Sequence, residues 1–270
     1  MRQTTTLTVR LAASAGLVLL SLNFFGLTQN LRPEGLTPDV LRFGERDLLL
    51  SQNELEEEIV RGEQETDAEF LNRVTHSIAD GMAHIHWERF DANRFHQQVP
   101  VWENYILWGM RYITKIPEYE RYHFSNVEKS IERGIGICGD ASILLSQILT
   151  TEGISNQIVS MPDHVIVVAR LGDQEFLLDA DFGVVAAISL NEAMLHPARL
   201  IAAYAAEDKY DSTVSEFTQA LTHTNQRWDG PQAFITKKYY FEKLAYFLKW
   251  TIPALLLLVA LFLFRNKGGV

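Results

Sequence analysis

Two strongly apolar runs near the ends of the chain constrain its fold more than any other feature. The first, Leu11 to Leu27, carries no charge and follows Arg2 and Arg10. The second, Trp250 to Phe264, is short for a bilayer, which takes about 20 helical residues, but Leu244 to Lys249 supply the missing length. Both runs are therefore predicted to be transmembrane helices. A buried terminal helix is the alternative for the second.

The flanks of the first run indicate an orientation. A positively charged start before an apolar run favours a cytoplasmic N-terminus. No small-residue A-x-A site follows the run, which favours an uncleaved anchor over a removable signal peptide. Two spans place both termini on one side. The prediction is a protein of the inner (cytoplasmic) membrane whose central domain is periplasmic or otherwise extracytoplasmic, with the membrane itself as a partner.

Composition excludes several classes of function. Lys and Arg number 24 against 34 Asp and Glu, so the net charge is −10, and without a basic block no nucleic-acid binding is expected. The chain has one cysteine, Cys138, which excludes an intrachain disulfide and a cysteine-rich zinc site. A lone cysteine is either a small buried hydrophobe or a reactive thiol, and its surroundings decide between the two.

The residues around Cys138 predict a helix that begins at the cysteine. From Ala141 to Leu149, apolar residues recur with the spacing of one helix face, and Gly153 ends the pattern. Gly134 and Gly136 permit an irregular, close-packed approach just before the helix. The free N–H groups and the dipole of a first helical turn stabilise a thiolate. A structural cysteine has no need of this location.

A β-hairpin follows the helix. Two apolar runs flank the tripeptide Leu-Gly-Asp, which is a strong hairpin signal. With Gly172 and Asp173 as the two turn residues, Asp179 lies opposite Ile166, which shares a strand face with His164. His164 and Asp179 are then diagonal neighbours about 7–8 Å apart, within reach of two polar side chains. A three-residue loop would place them on opposite faces.

Together, these three residues have the chemistry of acyl transfer. A thiolate at Cys138 attacks a carbonyl carbon, His164 accepts and returns a proton, and Asp179 orients the imidazole. Each residue alone is ordinary, because a histidine that opens an apolar strand is more often structural, and an aspartate that ends one is often only a turn residue. The three together predict a catalytic triad.

The order of these motifs resembles the transglutaminase-like superfamily of papain-related cysteine enzymes. The resemblance runs from about Asn126 to Val185, and its motifs are Gly-Ile-Cys-Gly-Asp-Ala, His-Val and Leu-Leu-Asp. The ending Asp-Ala-Asp-Phe-Gly-Val-Val is similar to that of bacterial members. The resemblance implies that Cys138, His164 and Asp179 are nucleophile, base and orienting residue. An aromatic residue often follows the family's histidine, and Val165 stands there instead, which leaves the type of substrate open.

The resemblance also implies an oxyanion hole. The backbone N–H of Cys138 is its natural first donor. In this superfamily an upstream side chain usually supplies the second donor, and Asn104 and Trp102 are the candidates here. A surface amide and a core tryptophan are the alternative interpretations of these two residues.

One histidine pair has the spacing of a metal site. His84 and His86 would share one face of a strand, as two zinc ligands do. No third ligand accompanies them, so both are interpreted as ordinary surface histidines. Neither a metal nor an organic cofactor is predicted.

The predicted fold class is α+β. A transglutaminase-like or papain-like core pairs an antiparallel sheet with the nucleophile helix, and two transmembrane helices flank it. The chain is predicted to begin with a cytoplasmic tail (1–10) and a transmembrane helix (11–29). A helical region that packs on the core (30–125), the catalytic core (126–190) and a helical C-terminal extension (191–243) follow. A second transmembrane helix (244–264) and a tail (265–270) end the sequence.

The predicted function is thiol-dependent acyl transfer at an amide bond. Water as the acceptor gives a peptidase or amidase, and an amine gives a transglutaminase-type reaction; the nucleophilic step is common to both. An exported, membrane-tethered domain indicates a peptide or protein amide of the cell envelope as substrate. The alternative is a non-catalytic transglutaminase-like module that binds envelope partners in a membrane assembly.

Overall fold

The computed structural model describes residues 2–266 and shows an α+β fold. The helices are α1 (Arg2–Gly26), α2 (Gln52–Glu58), α3 (Asp67–Gly81), α4 (Tyr105–Thr114), α5 (Val127–Arg133), α6 (Cys138–Thr151), α7 (Leu190–Leu195), α8 (Pro197–Tyr204), α9 (Thr213–His223), α10 (Pro231–Phe234) and α11 (Lys237–Arg265). The strands are β1 (Ala83–His84), β2 (Ile135–Gly136), β3 (Ser155–Met161), β4 (His164–Leu171), β5 (Gln174–Asp179), β6 (Val184–Ala186) and β7 (Gln226–Trp228). Short 3-10 turns lie at Gly44–Arg46 and Pro117–Tyr119.

One five-stranded antiparallel sheet lies between two groups of helices. Its strand order is β6-β5-β4-β3-β7. Strand residues alternate between the faces: Val167 packs in one core cluster with residues of α3 and α6, and Val168 packs in another with residues of α8 and α9. The prediction of an α+β chain with an antiparallel sheet is confirmed.

The hairpin has the predicted register. Leu171 lies opposite Gln174, and the pairing continues to Val167 opposite Leu178. Gly172 occupies the turn with φ of 59°, a left-handed conformation that a side chain would strain. The two-residue turn therefore sets the parity of the strands, and the residue at the end of β5 shares a face with the residue that begins β4.

Two regions predicted as helical also contain strands. Between α3 and α5 the chain forms β1, which pairs in parallel with β2, so that Ala83 lies opposite Ile135 and His84 opposite Gly136. In the C-terminal extension, β7 adds to the edge of the sheet, with Trp228 opposite Ile158. In strands of only two or three residues, the alternation of apolar and polar residues cannot be recognised, so the sequence does not reveal these strands.

The two apolar helices are each long and apolar enough to cross a membrane. The candidate spans are Leu7–Gly26 and Lys237–Arg265, against the predicted 11–29 and 244–264. The predicted tail at 1–10 is helical from Arg2 onward, and 267–270 of the other tail lie outside the described residues. Few residues of either helix are buried, 11% and 17% of the two most apolar windows, which argues against buried core helices.

A proline inside α11 explains a polar residue inside α1. Helix α11 begins at Lys237, so Pro253 lies in its interior. Proline has no N–H, and the carbonyl four residues earlier, that of Lys249, loses its helical partner. The amide of Asn23 donates to this carbonyl at 2.5 Å, and the Tyr105 hydroxyl does so at 3.2 Å. The missing backbone bond is thus replaced from α1 and α4.

The Asn23 bond gives a first prediction. Asn23→Leu is expected to lower the free energy of unfolding in detergent by about 1 kcal/mol, because a buried carbonyl loses one of its donors. In the Pro253→Ala background the helical N–H returns, so the same substitution should cost less. A double-mutant cycle measures this coupling. An equal cost of Asn23→Leu in both backgrounds would refute the compensation.

Candidate active site

Cys138 is the first residue of α6, and the chain reaches it through a close-packed turn. Ile137 precedes it in an extended conformation, and the Asp140 carboxylate accepts the Ile137 N–H at 3.0 Å. A Cβ at Gly136 would lie 2.7 Å from the Cβ of Asp140, so only glycine fits there. Cys138 is half-buried, and as the first helical residue its N–H has no partner within the helix. The site therefore offers a thiol and a free backbone donor together.

The structure brings all three residues of the predicted triad together. His164 Nε2 lies 2.6 Å from Asp179 Oδ2, and both side chains are buried. The Cys138 side chain interacts electrostatically with the imidazole, and the two residues line one cavity. Because Nε2 is occupied by Asp179, Nδ1 is the ring nitrogen that remains for the sulfur. Cys138, His164 and Asp179 thus form one row, in which His164 and Asp179 are hydrogen-bonded.

Aromatic and polar neighbours fix this row in place. The ring of Phe217 stacks on the His164 imidazole with centroids 4.1 Å apart. The Tyr204 hydroxyl donates to Asp179 Oδ2 at 2.5 Å, and the Asp181 N–H donates to Oδ1 at 2.9 Å. Phe217 and Tyr204 belong to α9 and α8, far from the hairpin in sequence. They look like ordinary apolar-face residues of their helices, so sequence reasoning missed them.

The electrostatics favour a charged pair at the base. Burial alone would lower the pKa of His164, but Asp179 and the Cys138 thiolate outweigh it and raise that pKa well above its ordinary value of about 6.5. Burial would raise the pKa of Asp179, but His164 and the Tyr204 hydroxyl lower it below its usual range. Asp179 is therefore a carboxylate and His164 an imidazolium at neutral pH, which is the partner that a thiolate requires.

A second buried ionic group lies behind the triad. The interpretation of His84 as a surface histidine is wrong: it is buried, with Nδ1 2.8 Å from Asp47 Oδ1 and Nε2 3.3 Å from Asp181 Oδ1. Arg42 lies 3.3 Å from the other oxygen of Asp181. His86 is exposed, and within residues 2–266 no three His, Cys, Asp or Glu side chains converge as a metal site would. His84 is thus held by carboxylates rather than paired with His86.

Neither predicted oxyanion side chain lies at Cys138. The Asn104 carbonyl oxygen caps α4, accepting the N–H groups of Ile106 at 3.1 Å and Leu107 at 3.2 Å. Trp102 packs beside the end of α1 and lines a separate cavity there. A helix N-terminus takes up the asparagine because its free N–H groups need an acceptor. The two candidates therefore serve the packing of α1 and α4.

Another tryptophan lies in the wall of a cavity at Cys138. Trp87, just after β1, lines a cavity together with Cys138 and His164. Its indole Nε1 is buried and has no hydrogen-bond partner among the described residues, although buried indole N–H groups usually have one. The parallel β1–β2 ladder brings this part of the chain beside the approach to Cys138. No local sequence signal reveals that contact.

Cys138 lies in the walls of two cavities. One, of about 480 Å³, has a mixed wall that includes the charged Arg42 and Asp181 as well as Trp87 and His164. The second, of about 690 Å³, is mainly apolar and is formed by α6, β4, the segment before α11 and the first turns of that helix. A substrate carbonyl at the sulfur therefore has access to a cavity with charged side chains and to a mainly apolar one.

Comparison of the chain with protein-family models, with curated proteins and with solved structures gave no match. The similarity to transglutaminase-like enzymes therefore remains the sequence resemblance described above. The geometry at Cys138 is the observation on which a function can be argued. It combines a thiol at a helix start, a buried His–Asp pair in contact with it and two cavities that meet at the sulfur.

Proposed function

We propose that this chain is a thiol-dependent acyl-transfer enzyme of transglutaminase-like type, with Cys138 as nucleophile, His164 as base and Asp179 as orienting residue. The observation that carries the proposal is the position of His164, whose imidazole is hydrogen-bonded to Asp179 and interacts electrostatically with the Cys138 side chain in the wall of one cavity. A purely structural His–Asp pair would not require a half-exposed thiol as its third member. Nor would it require that thiol to open a helix, where a thiolate is stabilised.

The proposed reaction has two halves. The Cys138 thiolate attacks the carbonyl carbon of an amide, and as the C–N bond breaks, the leaving nitrogen takes the proton from His164. The products of this half are a thioester on Cys138 and a free amine. Water or a second amine then attacks the thioester, His164 accepts its proton, and the C–S bond breaks. The acyl group leaves as an acid or as a new amide.

The negative charge of each tetrahedral intermediate needs donors in place beforehand. The free N–H of Cys138 at the start of α6 supplies one. The unpaired indole N–H of Trp87 is the second donor that we propose, in place of Trp102 and Asn104. An unpaired buried donor costs free energy in the resting protein, and a developing oxyanion would repay that cost.

The same proposal places the enzyme at a membrane. Two long apolar helices that pack on one another, with the rings of Phe24 and Trp250 5.9 Å apart, support anchoring by both. Arg2 and Arg10 favour the cytoplasmic side for the N-terminus. The central domain would then face the cell envelope, where a peptide or protein amide is the proposed substrate.

Alkylation of Cys138 by iodoacetamide tests the proposal. Because the raised pKa of His164 keeps it positively charged, the imidazolium should promote attack by the Cys138 sulfur, and alkylation of the wild-type protein at pH 6 should be at least about tenfold faster than that of His164→Ala. The variant should react no faster than a free thiol. Wild-type protein that behaves like the variant would indicate a binding module instead.

A further inference from the structure

The apolar cavity beside Cys138 has a composition unlike that of a peptide groove. At about 690 Å³ it lies within the range of roughly 300–1,000 Å³ typical of small-ligand sites. Most of the exposed wall is apolar and comes from Ile116, Tyr119, Ile143, Val165, Ile235 and Phe241. The polar members are His123, whose Nδ1 is already bonded to Asp140 at 2.8 Å, and Glu118, Thr236, Lys237 and Lys238. The cavity thus offers an apolar ligand a large surface, with charged side chains from the start of α11 at its edge.

The helix that contributes to the cavity wall also forms the second apolar span. Phe241, in the wall, belongs to α11 and stands about 14 Å along the helix from Trp250, where the strongly apolar run begins. On the same part of α11, Tyr240, Leu244 and Phe247 are exposed at helical spacing, on a face that also carries the exposed Lys243. Exposed apolar surface of this extent indicates contact with lipid or with an apolar ligand.

A second exposed apolar group borders the same cavity. Ile116 contributes to the cavity wall and is itself 43% exposed. Ile113, one turn earlier on α4, is 79% exposed. Helix α4 packs against α11, so these side chains lie on the same side of the domain as the membrane helix. Exposed apolar side chains therefore occur both beside the cavity and on the helix that leads to the span.

Resting on the proposed function, we infer that this cavity holds a long unbranched acyl chain, so that the acyl group transferred through Cys138 is the fatty-acyl group of a membrane amphiphile. The Cys138 thiolate attacks the fatty-acyl carbonyl and forms an S-acyl enzyme. The C–N bond to the head group breaks, and the head group leaves as an amine with the proton of His164. An apolar peptide side chain would need a cavity but not exposed apolar side chains on the helix that leads to the span.

Acylation by p-nitrophenyl esters tests this inference on the full chain in detergent. Acetate and octanoate esters are compared by the burst of p-nitrophenolate. Octanoate has six more methylenes than acetate, and each fully buried methylene strengthens binding by about fourfold. Even with partial burial of the chain, octanoate should acylate Cys138 at least about 100-fold faster than acetate. Ile235→Asp, in the cavity wall, should abolish most of this ratio and leave the acetate rate within about threefold, whereas Ile235→Val should retain the ratio.

A second variant keeps the test valid if Ile235→Asp fails to fold. Gly139 lines the cavity from α6, and a Cβ built there meets no atom within 4 Å. Gly139→Leu should therefore fold, occupy part of the cavity and lower the octanoate rate relative to Gly139→Ala.

The outcomes separate the two proposals. A burst with neither ester would overturn the proposed function. A burst with acetate but no preference for octanoate, or a preference that both cavity variants retain, would overturn only the acyl-chain inference. A preference for an apolar aminoacyl ester over octanoate would also overturn it, in favour of a peptide side chain.

Discussion

Cys138→Ser, His164→Ala and Asp179→Asn are each expected to lower the rate of p-nitrophenyl acetate turnover by about 10³–10⁴ without unfolding the protein. Serine has too high a pKa to be ionised by an imidazole partner of this kind. Without His164 no group takes up and returns the proton. Asparagine at 179 retains the shape but loses the charge that keeps the imidazole protonated and oriented.

The three residues should act as a unit. The double variant Cys138→Ser/Asp179→Asn is therefore expected to be no slower than the worse single variant. Asp173→Asn is the matched control, because Asp173 is an exposed aspartate of the hairpin turn. Turnover is measured alongside thermal unfolding. Additive losses in the double variant, or an equal loss in Asp173→Asn, would show that the substitutions act through stability and not through a shared mechanism.

Trp87→Phe is expected to lower kcat by about 10²–10³ with little change in KM. An aromatic ring is kept, but the N–H that we assign to the oxyanion is lost, and this donor matters only when charge develops. Trp102→Phe is the control, since Trp102 packs beside α1 and lines a different cavity. Steady-state kinetics with p-nitrophenyl acetate separate the two parameters. An effect of Trp102→Phe equal to that of Trp87→Phe would remove Trp87 from the oxyanion hole.

The parts of this structure that sequence could predict are those fixed by local pattern. Helical spacing after Cys138 fixes α6, and the glycine at 172 fixes the two-residue turn. The parity of that turn then places His164 and Asp179 on one face, as the 2.6 Å contact confirms. The spacing of apolar residues and the length of a turn are determined within a few residues, so both can be read from one sequence.

The parts that sequence missed depend on contacts between distant segments. Tyr204 reaches Asp179 only because α8 packs on the sheet, and Trp87 reaches the site only through the β1–β2 ladder. His84 was assigned to the surface because its partners, Asp47 and Asp181, come from two other regions of the chain. No spacing rule links such residues.

The two wrong oxyanion candidates have a different origin. Asn104 stands before an apolar segment, which is also the signature of a helix N-cap, and that is the role it has. Trp102 belongs to the packing between the loop before α4 and the end of α1. Both residues belong to an aromatic-rich segment. That location alone does not tell whether a side chain points at the nucleophile or supports a neighbouring helix.

The central claim is that Cys138 forms a thioester with the acyl group of its substrate. Its most direct test is intact-mass and peptide-level analysis of the protein after brief mixing with p-nitrophenyl acetate and acid quench. The predicted result is one acetyl group on the peptide that contains Cys138, released by hydroxylamine, absent from Cys138→Ala and strongly reduced in His164→Ala. Acetylation confined to hydroxylamine-resistant lysine amides, with Cys138 unmodified and no burst, would contradict the account.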